Sequence, residues 1–94
     1  MEQIINGLKY DTERAALVAT DRWWDGQNFE RNGRNTYLYR TKAGRFFVHR
    51  TSLRQGERDH IEPVSPDDAR QYYEDLPEHE MTYAEAFGDE APEA

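Results

Sequence analysis

Thr36-Tyr-Leu-Tyr-Arg-Thr-Lys-Ala-Gly-Arg-Phe-Phe-Val-His49 is the most strand-like stretch of the chain, and its centre reads as a turn. Thr41-Lys-Ala-Gly44 suits a type I turn followed by a glycine in the left-handed region, a common short hairpin connection with a bulge. That turn sets a register, with Tyr39 opposite Phe47, Leu38 opposite Val48 and Arg40 opposite Phe46. Side chains alternate along a strand. Leu38, Phe46 and Val48 therefore share one face, and Tyr37, Tyr39, Phe47 and His49 share the other. Both faces are largely apolar, so the sheet is either covered twice or exposes one side.

The segments before this hairpin are shorter. Ile4-Ile5-Asn6-Gly7-Leu8-Lys9-Tyr10 places Asn-Gly between two apolar pieces, and both turn residues tolerate positive φ, which predicts a small N-terminal hairpin. Asp11 then reads as an N-cap, with Tyr10 and Ala15 in staple positions. A helix is expected over about Thr12 to Thr20, burying Ala16 and Leu17. Trp23 or Trp24 would add to that cover. Residues 25–35 are rich in turn formers, with a strand expected around Gln27–Arg31 and an Asn-Gly turn at 32–33.

After the central hairpin, residues 51–59 read as a polar loop. Ile61-Glu-Pro-Val64 reads as a short edge strand, because Pro63 cannot donate to a ladder. Ser65-Pro66-Asp67-Asp68 is a helix start, with serine at the cap, proline in the first turn and acids facing the dipole. Ala69, Tyr72, Tyr73 and Leu76 follow at helical spacing as one apolar stripe, and Pro77 closes that helix. Thr82-Tyr-Ala-Glu85 is a capping box for a last short helix through Phe87, ended by Gly88. The expectation is an α+β domain over residues 1–88: a small antiparallel sheet of about four or five short strands, one N-terminal helix and two C-terminal helices. Residues 89–94 read as a disordered acidic tail.

Composition bounds the function. Ninety-four residues with 33% charged and 13% aromatic side chains make one domain whose core leans on rings, since each ring buries roughly 150–250 Å². The chain has no cysteine, so neither disulfides nor thiolate metal sites are expected, and a reducing, cytoplasmic setting fits. Met1-Glu-Gln-Ile-Ile-Asn-Gly lacks the basic and apolar regions of a signal peptide. No stretch reaches the roughly 20 apolar residues that span a bilayer, so no membrane partner is expected. No P-loop, dinucleotide fingerprint or nucleophile–base pair is present, and Ser65 is accounted for as a cap. His49, His60 and His79 lie on three different elements without metal-ligand spacing. The chain reads as a non-enzyme without cofactor or metal, and a small hydrolase is the weakest of three readings.

Charge carries the other two readings. The net charge of −7 is cut into blocks: −3 over residues 1–30, +7 over 31–58 and −11 over 59–94. The acidic block, with Asp67, Asp68, Glu74, Asp75, Glu78, Glu80 and Glu85, suits a protein partner that has a basic nucleic-acid-binding surface, where complementary charge supplies rate and specificity. The basic block suits nucleic acid directly. Tyr37, Tyr39 and Phe47 would stack bases, rimmed by Arg34, Arg40, Lys42, Arg45 and Arg50. Against that platform, the stripe on the first C-terminal helix is expected to lie over the same aromatic face as core, with the hairpin arginines pairing with that helix's acids. An aromatic face left uncovered would instead be a natural homodimer surface.

The order Ile5-Asn-Gly-x-x-Tyr-Asp-Thr12, Leu38-Tyr-Arg-Thr-Lys-x-Gly-x-Phe-Phe-Val48, Ile61-x-Pro-Val-Ser-x-x-x-Ala69 and Tyr83-x-x-x-Phe-Gly88 covers most of the chain. It resembles small uncharacterised proteins of phages and other mobile elements. The resemblance implies an α+β domain and an antagonist of a host factor, with an anti-CRISPR-like inhibitor as one form. It brings no catalytic residues. The pattern departs at Trp23-Trp24 and in the loop 51–59.

Overall fold

The computed structural model describes residues 1–21, 35–51, 56, 58–89 and 91–93. The expected strand at 27–31, the turn at 32–33, both tryptophans and Arg34 lie outside the described residues.

The described fold is mostly β. Asn6 (φ 53°) and Gly7 (φ 78°) form the turn of an N-terminal hairpin, β1 (Glu2–Ile5) and β2 (Leu8–Asp11). A five-stranded antiparallel sheet contains β3 (Ala16–Thr20), β4 (Asn35–Arg40), β5 (Phe46–Thr51), β6 (His60–Val64) and β7 (Glu78–His79), in the spatial order β6-β5-β4-β3-β7. Two short helices complete it, α1 (Pro66–Asp75) and α2 (Tyr83–Phe87).

The central hairpin has the expected register, with Tyr39 opposite Phe47, Leu38 opposite Val48 and Arg40 opposite Phe46. Gly44 sits at φ 87°, and its N–H donates to the Thr41 carbonyl at 2.9 Å. The edge strand is also as expected, because β6 pairs only with β5 and places Pro63 opposite Phe47. Both helix starts follow their caps. The Ser65 side chain accepts the Asp68 N–H at 3.1 Å, and Thr82 and Glu85 form a reciprocal capping box.

The α+β expectation is overturned, because residues 16–20 form the strand β3 in place of the N-terminal helix. The Asp11 signal is real but ends after one turn. Its carboxylate accepts the Glu13 N–H at 2.9 Å, and its carbonyl accepts Arg14 and Ala15 N–H groups at 3.2 and 3.1 Å. The chain beyond that turn has β-branched Val18 and Thr20, which are stiff and suit a pleated surface. Pairing with β4 on one side and β7 on the other buries Val18, Ala19 and Thr20 completely. A helix would have buried Ala16 and Leu17 instead, and Ala16 is exposed. Tertiary pairing outweighs a local cap worth about 1 kcal/mol.

Each sheet face has its own cover. β7 lies at the opposite edge from β6, so α1 crosses the sheet between them and touches β3, β4 and β5. Under the helices lie Val18, Ala19, Leu38, Phe46 and Val48, met by Ala69 and Leu76 of α1 and its cap and by Ala86 of α2. The other face packs Phe47 and Ile61 against Tyr10 of β2, with Ile5, Ala15 and Tyr39 around them.

Candidate functional site

The helix stripe covers the face opposite to the one expected. Ala69, Leu76, Tyr72 and Tyr73 pack over Leu38, Phe46 and Val48. The face bearing Tyr37, Tyr39 and Phe47 lies under the N-terminal hairpin, where the Tyr10 and Phe47 rings meet edge-on at 5.5 Å and Tyr39 stacks on Phe47 at 5.2 Å. Phe47 is 0% exposed, so it cannot stack a base, and the three-ring platform does not exist as a surface. Tyr37 and Tyr39 are half-buried.

Period-two alternation also divides the cations. Arg40 and Arg50 fall on the face of Leu38 and Val48, not beside the exposed edges of Tyr37 and Tyr39. Arg50 reaches the helix layer: its Nε lies 3.3 Å from the Glu62 carboxylate, its guanidinium donates to the Tyr72 hydroxyl, and its Cζ sits 5.6 Å from the Tyr72 ring centre. Lys42 and Arg45 stay exposed at the hairpin tip.

The expected pairing of hairpin arginines with α1 acids does not form among the described residues. Arg50 pairs with Glu62 of β6, and the acid of α1 that makes an ion pair, Asp67, takes Arg70 of the same helix at 3.2 Å. Asp68, Glu74, Asp75, Glu78 and Glu80 are exposed and make no ion pair among the described residues. Asp75 accepts from Gln71 at 3.1 Å, which keeps its charge outward. Glu85 is committed to its capping box, and the hydrogen bonds from Thr82 hold its carboxyl below the usual 4.5.

The acidic rim has a rigid backing that the sequence did not reveal. Glu78 and His79 pair with Thr20 and Ala19, and the Glu80 N–H donates to Val18 at 2.8 Å. The His79 ring stacks on Tyr73 at 3.9 Å, and its Nε2 lies 2.7 Å from the Tyr73 carbonyl, so that nitrogen carries the proton and donates. The Tyr73 hydroxyl donates to the Met81 carbonyl at 3.1 Å. Glu78 and Glu80 are thereby held on a single edge.

No family model, curated protein or solved structure matches this chain.

Among the described residues no group of three or more histidine, aspartate and glutamate side chains is placed to hold a metal ion. No described helix is long and apolar enough to cross a membrane. His49 has a buried Nε2 without a hydrogen-bond partner among the described residues, and burial lowers its pKa from 6.5 against the opposing charge of Asp59. Sequence reasoning also missed a cleft on the hairpin-covered face, lined by Lys9, Arg14, Lys42 and Arg45.

Proposed function

We propose that the protein is a non-enzymatic binding module that presents its acidic edge to a protein with a basic nucleic-acid-binding surface. In doing so it would inhibit or regulate that partner as a charge mimic of nucleic acid. The observation that carries this reading is that Glu74, Asp75, Glu78 and Glu80 are exposed and make no ion pair among the described residues where α1 runs into β7, an edge backed by β3 and by the Tyr73–His79 stack; Asp68 lies at the other end of α1, beside β6. Charge held on a fixed backing can complement a partner without first being ordered, so less of the binding energy is lost. Anti-CRISPR-like antagonism is the form of this function that the mobile-element resemblance implies.

The test is capture from a host lysate with the wild-type chain and with Asp75→Lys/Glu78→Lys/Glu80→Lys. A basic nucleic-acid-handling protein retained by the first, lost by the second and released from its own oligonucleotide by the wild type would support the reading. Equal capture by both chains would overturn it. Direct, steeply salt-dependent binding of DNA or RNA, lost in Arg45→Ala/Arg50→Ala, would also overturn it.

A further inference from the structure

A second site lies on the opposite side of the sheet from the helices. Between the N-terminal hairpin and the Thr41–Gly44 turn is a cleft of about 310 Å³, near the lower end of the roughly 300–1,000 Å³ typical of small-molecule sites. Three separate segments bring cations to it: Lys9 from β2, Arg14 from the turn after it, and Lys42 and Arg45 from the hairpin tip. Asp11 is the one carboxylate among the lining residues, and Lys9 also pairs with Glu2 at 3.8 Å, so it is Arg14, Lys42 and Arg45 that give the cleft a sign opposite to the chain's net −7.

That carboxylate, Asp11, does not spoil the site. Its Oδ1 is committed to the Glu13 N–H at 2.9 Å, and its Oδ2 lies 3.8 Å from Arg14 Nε, where it orients the guanidinium. The Arg14 side chain remains 80% exposed. Lys42 and Arg45 make no ion pair among the described residues. Thr41 adds a neutral donor, since its Oγ1 accepts the Arg45 N–H at 3.1 Å and leaves the hydroxyl proton free. The floor is apolar, formed by Leu8, Ala15 and the edge of Tyr10.

Cations around an apolar floor suit a ligand with a compact anionic group and an uncharged body. We propose that this cleft binds a small organic phosphate of nucleotide size, its phosphate held by Arg14, Lys42 and Arg45 and its body seated on Leu8 and Ala15. A long polyanion fits less well, because it would extend past the cleft into the field of the acidic edge. A compact ligand stays on the hairpin-covered face.

The experiment is an amide-resonance titration of the whole chain with ADP, adenosine, inorganic phosphate and a short oligothymidylate. ADP is expected to shift Lys9, Arg14, Lys42 and Arg45 and to leave α1 unmoved. Lys42→Glu and Arg45→Glu, both at exposed positions with the fold checked by the unshifted amides, are each expected to weaken ADP by about tenfold or more, as lost charged hydrogen bonds do. The proposal falls if millimolar ADP moves none of these amides, or if adenosine binds as tightly as ADP. It also falls if inorganic phosphate alone matches ADP, or if the oligothymidylate binds the same amides more tightly than ADP.

Discussion

The two faces of the five-stranded sheet are built from the same strands and closed in different ways. On one face, aliphatic side chains lie beneath two capped helices, with Phe46, Phe87, Tyr73 and Tyr83 forming a ring cluster beside them. On the other, a stack of Tyr39, Phe47 and Tyr10 lies beneath a hairpin of two four-residue strands. Four residues span only about 13 Å at roughly 3.3 Å each, while β4 and β5 have six residues each. The hairpin therefore cannot cover what the helices can. Its shortfall is the cation-lined cleft at the tip and the half-buried Tyr37 and His49 at the other end. The helix side has a cleft too, of about 370 Å³, but Glu62 and Asp68 line it, whereas the cleft on the hairpin side is lined by cations.

The largest expected effects test whether the short cover is a true core. Phe47→Ala should cost about 3–5 kcal/mol and Leu38→Ala about 2–5 kcal/mol, both measured by denaturant unfolding. Phe47 and Leu38 are both fully buried, one on each face. If Phe47→Ala costs less than about 1 kcal/mol, the hairpin only rests on the sheet and the two faces are not comparable cores.

Much of this comparison was legible in the sequence, and the part that was not has a physical cause. Thr41-Lys-Ala-Gly44 demanded one turn, the turn dictated one register, and alternation then assigned every side chain of the hairpin to a face. Asn6-Gly7, Ser65-Pro66 and Thr82-x-x-Glu85 were equally direct, because each is a local hydrogen-bonding or φ requirement. Asp11 misled because a cap satisfies the N–H groups of a single turn as well as those of a helix. The choice between them lay in β4 and β7, which are distant in sequence. β7 itself is two residues long and has no pattern to read. α1 was expected over the aromatic face and covers the other one, because both faces are apolar and periodicity alone does not choose between them. The cleft depended on all three of these points, and so Lys9 and Arg14 went unnoticed.

The next effect concerns the helix cover alone. Ser65→Ala removes the acceptor for the Asp68 N–H and should cost about 1 kcal/mol, within a range of about 0.5–2. Because α1 backs the acidic edge, the same variant should loosen that edge and leave the cleft amides unshifted. If the amides of Lys42 and Arg45 move as much as those of α1, the two faces do not act separately. A comparable or smaller effect is expected from Arg70→Ala, which removes the pair with Asp67 and the cation–π contact with the Phe87 ring at 5.2 Å and should cost about 0.5–1 kcal/mol.

The smallest effect is a dependence on pH that belongs to the hairpin-covered face. His49 lies 5.9 Å from Tyr37 ring to ring, and the charged groups acting on it are Asp59, the N-terminal ammonium and His60. Burial outweighs the attraction of Asp59 and lowers its folded-state pKa below 6.5. As pH falls past 6.5 the unfolded chain takes up the proton first, so stability declines, and this contribution levels off once the folded form is protonated too. Glu85 acts in a lower window, because its stability is present above 4.5 and is lost as pH falls through its depressed folded value. His49→Leu should flatten the stability profile between about pH 7 and pH 5 and leave the more acidic limb unchanged. Urea midpoints from about pH 7 down to about pH 3 read both limbs separately. An unchanged upper limb in His49→Leu would mean that the gap beside Tyr37 is open to water, and the hairpin would then cover even less of its face than the helices cover of theirs.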